Sequence, residues 1–203
     1  SIILADPTAD GALAALDLMI EAEHGPDSSA FLVTSSRAVA EAALAAIPGY
    51  WGQMGAQRVE FSSKVLGGSR GGVVLAPDME AACAFVNDYA PEHLLIHGDE
   101  PFQWLGSIRH AGEILLGAHT PITLGNFVLG PNAVLPTSGW AKTFSPLSTF
   151  DFMKRTGIGY VTRAGYPELA KHARVLATYE GFDAHANAVS ETRERVLASR
   201  GPR

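Results

Sequence analysis

Short apolar runs alternate with longer amphipathic segments along most of the chain. The runs Ile2–Ala5 and Ala30–Thr34 have the length of buried strands. Thr8 or Asp10 can cap the helix that follows the first run, and an alanine-rich helix follows the second run. Strands and helices that alternate at this spacing predict βαβ units and a parallel sheet.

The same alternation continues beyond the first two units. Further strands are predicted at 59–61, 73–76, 94–96, 113–116 and 158–161. Helices are predicted at 78–90, 102–108, 121–127 and 149–155, with glycine- and proline-rich loops between the last two. Most of the chain is therefore expected to form one α/β domain.

The chain ends in two amphipathic helical segments. They cover residues 166–179 and 183–199, and Gly181 separates them. Two helices cannot bury both of their apolar faces alone, because each needs a larger surface to cover it. We therefore expect them to dock on the body of the protein or on a second subunit.

Composition and charge exclude several classes of protein. The hydrophobic fraction of 47% and charged fraction of 18% are ordinary for a globular domain. The net charge of -6 argues against a broad nucleic-acid-binding surface. A single cysteine, Cys83, rules out an internal disulfide framework and fits a reducing compartment. No apolar run reaches the roughly 20 residues that span a bilayer, and no signal peptide is evident, so a cytoplasmic protein without membrane contact is expected.

The chain begins with Ser1, directly before the first apolar run. No methionine and no leading segment precede it. This start predicts either processing or a piece of a longer protein.

A carboxylate and an imidazole stand side by side at Glu92 and His93, directly after Pro91. Proline fixes its own φ angle and biases Ala90 away from the helical region, so the pair is expected to begin a new segment after a helix. An imidazole titrates near neutral pH and can accept a proton, and a carboxylate can activate a water molecule. The alternative is an ordinary pair of surface residues.

Two further pairs combine imidazole with carboxylate. Glu21 and His24 are three residues apart at the end of a helix, which places them on one face as possible metal ligands. Glu180 and His185 are five residues apart across Gly181. A solvated helix end or turn explains either pair equally well.

Other polar residues carry weaker signals. Asn126 and Asn132 lie in loops, where asparagine is most often a turn residue. Four further histidines have no patterned carboxylate partner and receive no role: His97, His110, His119 and His172.

With these residues in place, the chain resembles the C-terminal half of histidinol dehydrogenase, a zinc-dependent, NAD-using family. The resemblance rests on ordered motifs: Ala22-Glu23-His24-Gly25-Pro26-Asp27, Ala90-Pro91-Glu92-His93-Leu94, Gly130-Pro131-Asn132, Val134-Leu135-Pro136-Thr137, Asp151-Phe152-Met153-Lys154-Arg155 and Glu180-Gly181-Phe182-Asp183-Ala184-His185-Ala186. It implies a Rossmann-like parallel sheet with helices on both faces over residues 1–161. A helical tail over residues 162–203 would swap between the subunits of a homodimer.

The resemblance also implies a role for each matching residue. His93 would be the general base, and Glu92 the carboxylate that activates water for the second oxidation step. His24 and His185 would be zinc ligands, with the second reaching across from a partner subunit. Glu180 would contact the substrate.

Three positions depart from the family pattern. Glu21 stands where the family has a ligand glutamine, and Asn126 stands where it has a ligand aspartate. Asparagine is a neutral and poorer zinc ligand, whereas Glu21 can still coordinate. At the substrate-binding positions Asn132 and Ala133, the alanine replaces a histidine, and its methyl group cannot hydrogen-bond an imidazole substrate.

These departures leave three functional hypotheses. The first is NAD-dependent oxidation of an amino alcohol or another alcohol that is not histidinol. The second is a non-catalytic homologue that keeps the fold for binding or assembly. The third is a true histidinol dehydrogenase. The family chain is considerably longer, and most of its NAD contacts lie in the part absent here. No cofactor-binding residue is therefore assigned, and the missing N-terminal half becomes an expected partner.

Overall fold

The computed structural model describes residues 1–199 of the chain. The chain forms two compact units, Ser1–Met153 and Lys154–Arg203. None of the helices in the described residues combines the length and apolar character that crossing a bilayer requires.

The first unit is built on a five-stranded sheet in the order β3-β2-β1-β4-β5. The strands are β1 (Ile2–Ala5), β2 (Ala30–Thr34), β3 (Gly71–Leu75), β4 (His93–His97) and β5 (Glu113–Leu116). All four pairings are parallel, and β1 pairs with both β2 and β4. The strand order therefore reverses between β1 and β4, which is the topology of a Rossmann-like sheet.

Helices cover both faces of this sheet, which confirms the predicted α/β class. They are α1 (Gly11–Ala22), α2 (Arg37–Trp51), α3 (Ala56–Leu66), α4 (Met79–Tyr89) and α5 (Ile122–Phe127), with 3-10 turns at Pro101–Ser107, Trp140–Lys142 and Thr149–Phe152. Alternate residues of β1 point to opposite faces. Ile3 joins the core under α1 and α2, whereas Ile2 and Leu4 join the core under α4.

Short polar side chains set where the helices begin. The side chain of Asp10 accepts hydrogen bonds from the backbone of Ala12 and Leu13 at the start of α1. Ser36 and Asp78 cap α2 and α4 in the same way. Each cap satisfies a backbone N–H group that has no partner within its helix.

Two strand predictions are wrong. Residues 59–61 lie inside α3, where Ser62 and Val65 are buried at helical spacing, and this helical pattern overrides the strand preference of Val59 and Phe61. Residues 158–161 form no strand, and Ile158 is 95% exposed. An apolar run becomes a strand only where a neighbouring strand can pair with it.

Between residues 154 and 199 the second unit contains three helices where two were predicted. They are α6 (Tyr166–Tyr179), α7 (Asp183–Ala188) and α8 (Glu191–Ala198). Ser190 caps α8 by accepting a hydrogen bond from the backbone of Thr192, so the predicted second helix is split there. Large apolar side chains are exposed along α6: Leu169, Val175, Leu176 and Tyr179. Docking of this tail on another surface remains a prediction.

At the carboxyl edge of the sheet, protein groups fill the place where ligands commonly bind in open α/β folds. Asp6 follows β1, is 1% exposed, and accepts hydrogen bonds from Thr8, Gln103 and Trp104. Burial alone would raise the pKa of Asp6, but these hydrogen bonds together lower it. A side chain at Gly98 would collide with this carboxylate. The carboxyl ends of β1 and β4 are therefore occupied by this buried carboxylate and its hydrogen-bond donors.

Candidate active site

A cleft of about 430 Å³ lies at the amino edge of the sheet. Ser29, Arg70 and Glu92 line it, and each immediately precedes a strand, namely β2, β3 and β4. Glu21 reaches the same cleft from the last turn of α1. The loop residues Thr137, Ser138 and Gly139 close another side. The cleft thus lies opposite the edge that the Asp6 cluster fills.

Two strained backbone positions shape the wall of this cleft. Ala90 and Ser138 have φ angles of 52° and 53°, and no other non-glycine residue between 1 and 199 has a positive φ. Both line the cleft. Residues other than glycine adopt positive φ angles at an energetic cost, and such strained backbone conformations cluster near functional sites. At Ala90 the left-handed turn ends α4, two residues before Glu92, which lines the cleft.

His93 is held between two carboxylates. Its Nδ1 lies 3.0 Å from Oε2 of Glu113, and its Nε2 lies 3.8 Å from Oε1 of Glu92. His93 and Glu113 are register partners at the start of β4 and β5. The side chains of His93 and Glu113 are only 7% and 4% exposed, whereas that of Glu92 is 36% exposed. The imidazole is therefore fixed at one nitrogen, and its other nitrogen is turned toward the carboxylate that lines the cleft.

The environment of Glu92 favours its protonated form. Burial raises the pKa of the Glu92 carboxyl, the imidazole of His93 opposes this rise, and the negative charge of Glu21 adds to it. A carboxyl group with a raised pKa is better suited to exchange protons near neutral pH than an ordinary one.

This raised pKa predicts that Glu92 costs stability at neutral pH. A carboxyl group whose pKa is higher in the folded state binds more protons when folded, so stability falls as pH rises from the unfolded to the folded pKa. Glu92→Gln is therefore expected to raise the free energy of unfolding at pH 7 and to have little effect at pH about 3, below the ordinary glutamate pKa of about 4.3. Urea unfolding of both proteins at the two pH values measures this. A variant that is less stable at pH 7 would contradict it.

Two predicted metal ligands come together at the end of α1. Oε1 of Glu21 and Nδ1 of His24 are 3.9 Å apart. Within residues 1–199, no group of three or more histidine, cysteine, aspartate or glutamate side chains could hold a metal ion. The expected loop position is wrong for Asn126, which is half-buried within helix α5 and is not among the residues that line the cleft. His185 lies in the second unit, exposed, with its ring 5.2 Å from that of Phe182.

The predicted substrate-binding residues occupy exposed positions. Asn132 accepts a hydrogen bond from the backbone of Val134, which is the turn role that asparagine commonly has. Ala133 beside it is exposed, and neither residue lines the cleft. Glu180 is exposed at the end of α6 in the second unit.

Sequence reasoning missed the buried carboxylate partners of two histidines. Glu113 pairs with His93, and Asp17 lies 2.8 Å from Nε2 of His97. Both carboxylates interrupt apolar segments, Glu113 at the start of a strand and Asp17 within the buried face of α1. A carboxylate at such a position is the signal that could have found them, because buried charges are nearly always paired.

Comparison with known proteins agrees with the motifs and the fold. A family model described as "Histidinol dehydrogenase" matches residues 1–193. The chain belongs to the histidinol dehydrogenase family. A crystal structure of histidinol dehydrogenase from Elizabethkingia anophelis superposes with a TM-score of 0.88 at 29% identity, covering 97% of this chain and 44% of that one.

Related sequences fall at two levels of similarity. A protein named "Histidinol dehydrogenase homolog 2" from Mesorhizobium japonicum is 67% identical over 198 residues, which is 98% of this chain and 45% of that protein. "Histidinol dehydrogenase" from Synechocystis sp. is 47% identical over 197 residues, again 45% of that protein. This chain thus spans about half the length of the family members that it matches.

Proposed function

We propose that this chain is the acid–base half of an NAD-dependent alcohol dehydrogenase of the histidinol dehydrogenase family, acting on an alcohol other than histidinol. The observation that carries the proposal is His93, buried and fixed by Glu113, with its second nitrogen facing Glu92 beside an open cleft. General acid–base catalysis requires a positioned group of this kind next to the space where a substrate binds.

The pair can serve two successive oxidations. In the first, His93 takes the proton of the substrate hydroxyl while a hydride leaves the same carbon, giving an aldehyde. In the second, the partly exposed Glu92 takes a proton from water as its oxygen adds to the aldehyde carbon, and a second hydride leaves to give the acid. Bound NAD would accept each hydride. We expect its site to lie mostly in the part of the family members that this chain does not cover.

Zinc is the metal that the family resemblance implies. The side chains of Glu21 and His24 are suitable donors and lie at the cleft or next to it. They make only part of a four-ligand site, and we propose that His185 of a second copy and Asn126 complete it in a homodimer. Bound zinc would orient and polarise the substrate hydroxyl.

The choice of substrate rests on the departures from the family pattern. Ala133 offers no hydrogen bond to an imidazole, and Asn126 replaces a carboxylate ligand. Four relatives at 60–67% identity carry the name "homolog", whereas those at 39–47% are named histidinol dehydrogenase. This division supports a divergent substrate, either an amino alcohol or another small alcohol.

A second candidate is a non-catalytic homologue that keeps the fold for binding or assembly. The incomplete donor set favours it, since no group of three ionisable donors that could hold a metal forms within residues 1–199. Such a protein would keep the dimer and the cleft but would bind no zinc.

A turnover assay separates these functions. A full-length protein that carries this chain is incubated with NAD, zinc and a panel of small alcohols that includes histidinol, and NADH is followed by absorbance. We expect two molecules of NADH per molecule of an accepted alcohol, and little turnover of histidinol. Rapid oxidation of histidinol would contradict the proposal that the substrate is another alcohol. NADH formation from no alcohol in a protein that binds NAD would favour the non-catalytic homologue.

A further inference from the structure

The carboxylate of Glu113 and the imidazole of His93 form a buried pair, with side chains 4% and 7% exposed. Oε2 of Glu113 lies 3.0 Å from Nδ1 of His93. The other oxygen, Oε1, is buried and has no hydrogen-bond partner among residues 1–199. Leaving a carboxylate oxygen buried and unsatisfied costs free energy. A site that served only stability would gain more from an apolar residue here.

A second buried pair of the same kind provides a comparison within the same sheet. His97 and Asp17 lie 2.8 Å apart, and both are almost completely buried. Neither residue lines the cleft. The ring of His93 differs because its free nitrogen faces Glu92, which does line the cleft. A buried histidine–carboxylate pair thus occurs twice, and only the pair that contains His93 lies next to a residue of the cleft.

The contact with Glu113 decides which nitrogen of His93 can act as a base. An ionised carboxylate can only accept hydrogen bonds, so the nitrogen that faces it must carry the proton. With the proton on Nδ1, the lone pair of the neutral ring is on Nε2, the atom that faces Glu92. We propose that Glu113 is the positioning residue that fixes His93 in the Nδ1–H tautomer and so presents Nε2 as the proton acceptor.

The chain leaves room for this carboxylate at Gly125. A methyl group at Gly125 would lie 3.0 Å from both carboxylate oxygens of Glu113, closer than ordinary van der Waals contact. Gly125 belongs to α5, so this helix packs its one small residue against the carboxylate. Gly125→Ala should therefore displace Glu113 without removing its charge.

The tautomer can be measured without any turnover. The 203-residue chain is labelled with ¹⁵N-histidine, and long-range ¹H–¹⁵N spectra are recorded at about pH 9, well above the ordinary imidazole pKa of about 6.5. The signals of His93 are assigned as those that disappear in His93→Gln. We expect a protonated Nδ1 and an unprotonated Nε2. A ring protonated at Nε2 would overturn the proposal.

Variants connect the tautomer to its cause. Glu113→Ala and, if that protein does not fold, Gly125→Ala should return His93 toward the tautomer mixture of a free imidazole. Glu113→Gln keeps an acceptor oxygen and should retain the Nδ1–H form. Asp17→Asn, which disturbs the other buried pair, should leave the His93 signals unchanged. A His93 tautomer that survives both Glu113→Ala and Gly125→Ala would also overturn the proposal.

The catalytic consequence rests on the proposed function and is tested separately. In a full-length protein that oxidises an alcohol, Glu113→Ala is expected to lower kcat by roughly 10- to 100-fold, as losses of residues that orient a functional imidazole do, with KM little changed. Glu113→Gln should recover part of that loss. If the parent protein has the Nδ1–H ring and Glu113→Ala leaves kcat unchanged, the catalytic role of Glu113 is overturned. If the parent protein has the Nδ1–H ring but oxidises no alcohol, the positioning role is supported and only the proposed function is contradicted.

Discussion

Replacing His93 with glutamine is expected to lower alcohol turnover by roughly 100-fold or more, the usual loss when a general base is removed. Glutamine is preferable to alanine because His93 lies 3.0 Å from the buried carboxylate of Glu113. His93→Ala would leave that charge unpaired and would destabilise the protein by roughly 3–5 kcal/mol, which would confuse folding with chemistry. The side-chain amide of glutamine can still donate a hydrogen bond to Glu113.

The matched control for this variant is His97→Gln. His97 is as buried as His93 and is also paired with a carboxylate, Asp17. The two histidines differ because His93 also faces Glu92, which lines the cleft, whereas neither His97 nor Asp17 lines it. We expect His97→Gln to alter the unfolding midpoint and leave kcat near that of the parent protein. The measurement is NADH formation at saturating alcohol, with urea unfolding of both variants in parallel. A His93→Gln protein with the parent rate would remove His93 from the mechanism.

The fold could be predicted because its signals are local. The strands of the sheet are short apolar runs, and polar caps such as Asp10 and Asp78 mark where helices begin. The two wrong strands, at 59–61 and 158–161, were short runs that Glu60 and Gly159 interrupt and that have no partner strand to pair with. Whether such a run pairs with another strand depends on residues far away in the chain, and the local sequence pattern carries no information about them.

The candidate site was predictable only where its residues are neighbours in sequence. Glu92 and His93 are adjacent, and Glu21 and His24 lie within one helical turn. In contrast, Glu113 is 20 residues from His93, and Asp17 is 80 residues from His97. These pairs depend on strand register and on how α1 packs across the sheet. Likewise, only the sheet topology shows that the cleft lies at the amino edge, opposite the usual ligand position.

Replacing His24 with alanine is expected to abolish stoichiometric zinc binding, if the proposed metal site forms. A complete four-ligand zinc site in a protein provides about 10–16 kcal/mol. One ligand therefore contributes about 3 kcal/mol, which corresponds to a factor of more than about 100 in Kd. Elemental analysis after dialysis gives the zinc content per chain, and competition with a chelator gives the affinity. His172→Ala is the control, because His172 is exposed and its ring forms an ion pair with Glu168, one helical turn before it.

A zinc ligand that comes from a second copy of the chain predicts a specific pattern of zinc binding in mixed dimers. If His185 of a second copy completes the site, His24→Ala and His185→Ala each destroy it alone. A mixed dimer of the two variants would then regain one of its two metal sites. One site carries both substitutions, and the other site carries neither. Zinc at about half the parent stoichiometry in isolated mixed dimers, or about a quarter in an equimolar mixture that has reassorted at random, would thus show a shared site, a pattern that ligands from a single chain cannot produce. A mixture without zinc, prepared from a parent protein that binds it, would place both histidines in the same copy of the chain. A parent protein that binds no zinc as a folded dimer would instead favour the non-catalytic homologue.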